Sequence, residues 1–211
     1  MALPDNIHFI GDSCLCWSFG KGIDPRTSRR VIQAYRFLKE HQVTGVLDCV
    51  PSYCALAVHF DPLQADADEL VPAINGLLER AARARVSGKG VTHRIPVVYD
   101  GMDLVDLARG KQMTVRDVVR IHSSKTYTVA MIGFRPHFPY LLGLDPRLET
   151  PRLASPRPRV PPGSVGIGGN QTGIYPDESP GGWSLIGRTS PGLLIDIAIG
   201  DKVKFRSVSA L

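Results

Sequence analysis

"SVGIGGNQTGIYPDESPGGWSLIGR", Ser164 to Arg188, sets short apolar runs between glycines, prolines and small polar residues. "SVGI" and "WSLIG" read as brief strands, and the glycine- and proline-rich segment between them reads as turns. The same punctuation extends outward. Eleven prolines lie between Arg135 and Pro191 and twelve glycines between Gly133 and Gly200, with "KVKF" as another short apolar run near the end. Short strands joined by long loops argue for a compact β-barrel or sandwich. Two nucleotide motifs are absent here. A dinucleotide fingerprint begun at Gly166 and Gly168 needs glycine at 171, where Gln171 stands. A P-loop begun at Gly163 and Gly168 needs Lys and Ser/Thr where Gly169 and Asn170 stand.

Upstream, "YTVAMIGF" is a strand candidate, and "TVRD" at Thr114 to Asp117 has the form of a capping box opening a short helix that ends near His122. "DPRLETPRLASPRPRV" holds four prolines and the arginines Arg147, Arg152, Arg157 and Arg159. It reads as an extended strip on the barrel surface, or as a strip whose guanidinium forks face an anion or a partner.

The first ninety residues are punctuated differently. "SCLCWSF" reads as a strand, and Asp24 followed by Pro25 opens a helix carrying Val31, Tyr35 and Leu38 at helical spacing. "GVLDCV" and "CALAVHF" form a hairpin, a helix follows from about Asp68 to Arg85, and "HRIPVVY" returns as a strand. The order β-α-β-β-α-β is the split pattern of a ferredoxin-like domain. The expected fold class is therefore an α+β ferredoxin-like domain over residues 1–90, followed by a β-barrel domain over 91–211.

With 211 residues, 43% hydrophobic and 21% charged, the chain has enough apolar side chains for an ordinary core. No apolar run reaches the length of a membrane span, and Asp5 interrupts the start where a secretion signal would be apolar. The expected location is cytoplasmic, so the sequon at Asn170 to Thr172 should stay unmodified and the four cysteines should be thiols acting as small hydrophobes. A four-thiolate zinc site would need Cys14, Cys16, Cys49 and Cys54 to converge, and their spacing argues against it. Residues 91–211 carry 15 of the 25 Lys+Arg and 10 of the 20 Asp+Glu, so the whole net charge of +5 lies in the second half. That asymmetry favours a small anionic ligand or acidic partner, whereas the absence of long basic runs argues against nucleic acid.

Two clusters carry candidate chemistry. In the first, Gly168 and Gly169 offer backbone amides for an anion nest, with Asn170, Gln171, Thr172 and Tyr175 as donors and acceptors. Asp177 and Glu178 are possible acid or base groups there, and Arg188 a cation. In the second, His122, Lys125, Arg135, His137 and Tyr140 flank the "YTVAMIGF" strand. Neither contains a Ser-His-Asp order or an HExxH motif.

"GFRPHFPYLLGLDPRLETPRLASPRPRVPPGSVGIGGNQTGIYPDESPGGWSLIGRT", Gly133 to Thr189, resembles the signature region of the KipI family, which includes the B component of the bacterial ATP-dependent 5-oxoprolinase and part of the carboxyltransferase region of urea carboxylase. "GDSCLCWSFG", "PSYCALAVHFDP", "IPVVYDG", "IHS" and "IGDKVKF" extend the resemblance. His137 and Asn170 stand where the family usually has glycine. The resemblance implies that the barrel is cyclophilin-like, and that the chain is one subunit of a complex that opens 5-oxoproline to glutamate with ATP, Mg2+ accompanying the nucleotide. It implies two partners, a C-type component of the allophanate hydrolase family and an A-type component of the lactam-utilisation family, and an isolated chain without activity. In that scheme Arg135 or Arg188 holds a carboxylate or phosphate, with His122 among the binding residues. Gly168, Gly169, Gln171 and Thr172 stabilise negative charge, and Glu178 or His137 moves protons. Two rival readings follow from the same family: an inhibitor of a sensor histidine kinase, and a component of urea metabolism.

Overall fold

The structure, a computed structural model, describes residues 6–84 and 90–211. It divides into two compact units, Met1–Lys89 and Gly90–Leu211. No helix among the described residues is long and apolar enough to cross a membrane.

The first unit contains β1 (Asn6–Phe9), β2 (Cys14–Ser18), α1 (Pro25–Glu40), β3 (Val46–Pro51), β4 (Ala55–Phe60) and α2 (Ala67–Arg83). Asp24 caps α1 by accepting from the Thr27 amide at 2.7 Å, and Pro25 occupies the first helical position, where its missing N–H is no loss. Asp66 caps α2, so that helix begins one residue before the expected Asp68; its expected end at Arg85 lies outside the described residues. The sheet is antiparallel with order β1-β2-β4-β3. Leu15 and Trp17 from β2, with Leu56 and Val58 from β4, pack with Val31, Leu38, Leu70, Ile74 and Leu78 of the two helices. Trp17 is fully buried, and its indole N–H donates to Asn75 Oδ1 at 2.9 Å, so burial leaves no orphan donor. Cys14, Cys16 and Cys49 are buried thiols, and no cluster of three or more His, Cys, Asp or Glu side chains suited to a metal occurs among the described residues.

The expected β-α-β-β-α-β order is not the one found. "HRIPVVY" forms β5 (Thr92–Val97), and β5 pairs in parallel with β13 (Lys202–Ser207) in the second unit. The edge position beside β2 is taken instead by β1, which precedes β2 in sequence. Alternation marks a residue run as a strand but does not say which sheet it joins.

The second unit continues with α3 (Leu104–Gly110), α4 (Val115–Ser124), β6 (Tyr127–Ile132), β7 (Pro139–Leu142), β8 (Arg157–Val160), β9 (Ser164–Gly168), β10 (Gln171–Ile174), β11 (Ser179–Gly181) and β12 (Ser184–Arg188). Seven strands run in the order β12-β9-β10-β7-β6-β13-β5, all antiparallel except β13 with β5. A bridge between Val98 and Arg188 joins the two ends, giving a nearly closed, mixed barrel-like sheet; β8 and β11 form a separate two-stranded ribbon. Alternate residues such as Tyr127 and Val129, Val165 and Ile167, and Val203 and Phe205 build its core. The capping box is present: Thr114 Oγ1 accepts from the Asp117 amide, and the Asp117 carboxylate accepts from the Thr114 amide. Two helices feed this core, with Leu104 and Leu107 from α3 and Val118 and Ile121 from α4. The first of them, "LVDLARG", has too few turns for helical periodicity to show in sequence.

Candidate functional site

Gly169 and Asn170 form the two-residue connection of the β9–β10 hairpin, closed by the pair Gly168 and Gln171. Gly169 has φ +61°, the left-handed value that a tight hairpin needs at the first turn position. Its N–H donates to Thr150 O at 2.7 Å and its carbonyl accepts from Thr150 N at 3.1 Å. The amide expected to lie bare for an anion is thus committed to the backbone. Gly168 has a different duty, because a Cβ there would overlap the Trp183 indole. Gly173 makes the same kind of floor on the neighbouring strand, where a Cβ would stand 3.0 Å from Trp183 and 3.1 Å from Phe138. The glycines let the Trp183 ring approach the outer face of the sheet closely.

Those rings form a second, smaller cluster of Phe138, Tyr175 and Trp183 with Val160 and Leu185, and Tyr140 packs against it. Phe138 meets Tyr175 at 5.1 Å and Trp183 at 5.6 Å between centroids, both edge to face. Between this cluster and the loops around it lies a cavity of about 280 Å3, lined by Phe134, Tyr140, Arg152, Leu153, Tyr175 and Trp183 among others. Its walls are mostly apolar, and Arg152 is the cation among them. Arg152 is exposed and holds its guanidinium 6.0 Å from the Trp183 ring centroid. Burial raises the pKa of both Tyr140 and Tyr175, keeping both phenols protonated donors at neutral pH.

The inner face of the same strand is closed. Thr172 points into the barrel, one residue from Gln171 and Gly173, because successive strand side chains alternate. His122 is completely buried, with Nε2 3.0 Å from Thr172 Oγ1 and Nδ1 2.8 Å from Tyr99 Oη. Thr172 gives its proton to Gly166 O at 2.8 Å, so Nε2–H must donate to Thr172 and Nδ1 must accept from Tyr99. Burial alone drives the His122 pKa down to about 3, so the ring is neutral, and it stacks on Phe205 at 4.6 Å. Every polar atom in this network has a partner inside the barrel.

The residues selected from sequence therefore separate. Tyr175 lines the cavity; Thr172 and His122 lie across the sheet from it. Gln171 is buried next to the hairpin turn, and Asn170 is exposed on it. Arg135 forks onto Asp177, Nε to Oδ1 at 3.0 Å and Nη2 to Oδ2 at 2.7 Å, which holds the Asp177 carboxyl below its ordinary pKa. Arg188 Nε bonds Asp100 Oδ2 at 2.8 Å, and exposed Glu178 sits 3.7 Å from Arg159. His137, also exposed, occupies the third position of a turn from Arg135 to Phe138, with φ +63° after Pro136. That conformation favours glycine, which accounts for a histidine there being unusual. Phe134, Phe138 and Trp183 did not stand out as site residues, and Arg152 stood only among the four arginines of an anion- or partner-facing strip. Their signal in the sequence is an aromatic cluster in "GFRPHFPY" and an arginine strip that needed a fold to show which member lacks a carboxylate.

The family described as carboxyltransferase domain, subdomain C and D, matches residues 5–194. This chain belongs to that family. It is 34% identical to the B component of 5-oxoprolinase from Bacillus subtilis over 99% of this chain and 95% of that protein. Among solved structures it resembles TTHA0988, with a TM-score of 0.82 and 32% identity over 95% of this chain; the match spans 40% of that longer chain. The urea carboxylase of Kluyveromyces lactis matches over 96% of this chain and 21% of its own, with a TM-score of 0.72. At 20% identity that likeness speaks for the fold alone.

Proposed function

We propose that this family member is the B-type component of a complex that opens 5-oxoproline to glutamate. The observation that carries the reading is the end-to-end match to a protein named as the B component of 5-oxoprolinase. A cavity of small-molecule size in the basic half of the chain supports it. The barrel is of the cyclophilin-like kind in this reading, and it presents its outer aromatic face to the ligand.

The residues of this chain do not fit a triphosphate. The cavity offers one guanidinium and mostly apolar walls, and the Gly169 amide is already bonded to Thr150. ATP is therefore assigned to the A-type and C-type partners or to a surface shared with them. This chain's part is to bind and orient the lactam, with Tyr140 and Tyr175 as neutral donors beside it.

The test is co-expression with both candidate partners, followed by an assay for ATP-dependent glutamate formation from 5-oxoproline. Turnover by the assembled complex, and none by this chain alone, is the expected result. An assembled complex without turnover would overturn the reading. The same complex supplied with urea, bicarbonate, ATP and a biotin carboxylase partner tests the urea-metabolism alternative.

A further inference from the structure

Four arginines punctuate the strip between β7 and β9, and the fold treats them differently. Arg147 reaches Asp145 at 2.8 Å, Arg157 reaches Asp103 at 2.5 Å, and Arg159 lies 3.7 Å from Glu178. Arg152 has no carboxylate within salt-bridge reach among the described residues; its neighbour is the Trp183 ring. Arg135 and Arg188, the cations expected from sequence to hold a carboxylate or phosphate, are each held by an aspartate already.

We propose that Arg152 is the anchor for the carboxylate of a small cyclic acid whose ring lies among Trp183, Tyr140, Tyr175 and Phe134. The identity of that acid as 5-oxoproline rests on the complex proposed above; the site itself rests on its geometry. A guanidinium offers a planar fork that a carboxylate matches with two parallel hydrogen bonds. The apolar wall on one side lowers the competition from water for that pair. A volume of about 280 Å3 falls just below the range used by drug-sized ligands, as suits a single ring with one substituent. One cation in an apolar cavity selects a monoanion and disfavours a polyphosphate.

Isothermal titration of the full chain with three probes separates the contributions: 5-oxoproline has ring and carboxylate, 2-pyrrolidinone has the ring only, and glutamate lacks the ring. The expected order is 5-oxoproline tightest. Arg152→Gln should weaken it on the order of 10-fold or more while leaving pyrrolidinone unchanged. Arg152→Lys should fall between, because it keeps the charge and loses the fork. Equal binding of 5-oxoproline and pyrrolidinone, wild-type binding by Arg152→Gln, or no binding of 5-oxoproline would overturn the proposal. In the assembled complex, Arg152→Gln should raise KM far more than it lowers kcat. Turnover with an unchanged KM would remove Arg152 and leave the 5-oxoprolinase reading standing. An inert complex combined with Arg152-dependent binding of the acid would do the reverse.

Discussion

The two faces of β10 carry opposite solutions to the placement of polar groups. On the inner face, Thr172, His122 and Tyr99 form a chain of hydrogen bonds with each donor matched to an acceptor, and Thr172 and His122 are fully buried. On the outer face, aromatic rings lie over glycine and an arginine stands exposed with no carboxylate partner among the described residues. A satisfied, buried network specifies the core; an exposed cation beside an open aromatic cavity is available to a ligand. Residues adjacent in "QTG" therefore belong to different tasks, and the pleat of one strand divides them.

Substitutions can break that contrast. His122→Ala should have the largest effect, about 3 kcal/mol of lost stability, because it opens a cavity against Phe205 and strips partners from Tyr99 and Thr172. Denaturant unfolding measures it. The inner network should also respond to acid. The folded His122 pKa of about 3 lies below the ordinary 6.5, so the unfolded chain takes up a proton that the folded chain refuses. Stability is full above pH 6.5 and falls as pH drops, by about 2 kcal/mol at pH 5. The depressed carboxylates Asp24, Asp117, Asp145 and Asp177 add losses only at lower pH, so His122→Gln should flatten the curve between pH 6.5 and 5. An unchanged curve in that variant would assign the acid sensitivity elsewhere.

On the outer side the changes in stability should be small. His137→Gly relieves a left-handed histidine and should add about 1 kcal/mol. Arg135→Ala removes an exposed pair with Asp177 and should leave the melting temperature within error, since solvent screens such pairs. A large loss there would show that the loop carrying Phe134 depends on that pair.

Much of this architecture was legible in residues. Asp24 with Pro25, the Thr114 capping box and the short runs "SVGI", "SLIG" within "WSLIG", and "KVKF" all mark the elements that sequence reading assigned to them, because each signal is local. The destination of "HRIPVVY" was not legible, since joining β13 depends on a partner more than a hundred residues away. The candidate site was less legible still. Of the two glycines read as an anion nest, Gly168 is a floor for Trp183 and Gly169 is a hairpin turn, and only tertiary pairing shows that Arg135 and Arg188 are held by aspartates while Arg152 has no carboxylate partner among the described residues.

The chain has two tryptophans, Trp17 in the first unit's core and Trp183 on the outer face of the barrel, so its indole N–H signals provide a probe and an internal control. Titrating 15N-labelled full chain with 5-oxoproline should shift the Trp183 indole resonance to saturation and leave the Trp17 resonance, bonded to Asn75, in place. A Trp183 signal that stays fixed, or two signals that move together, would contradict the assignment of the outer aromatic face to the ligand.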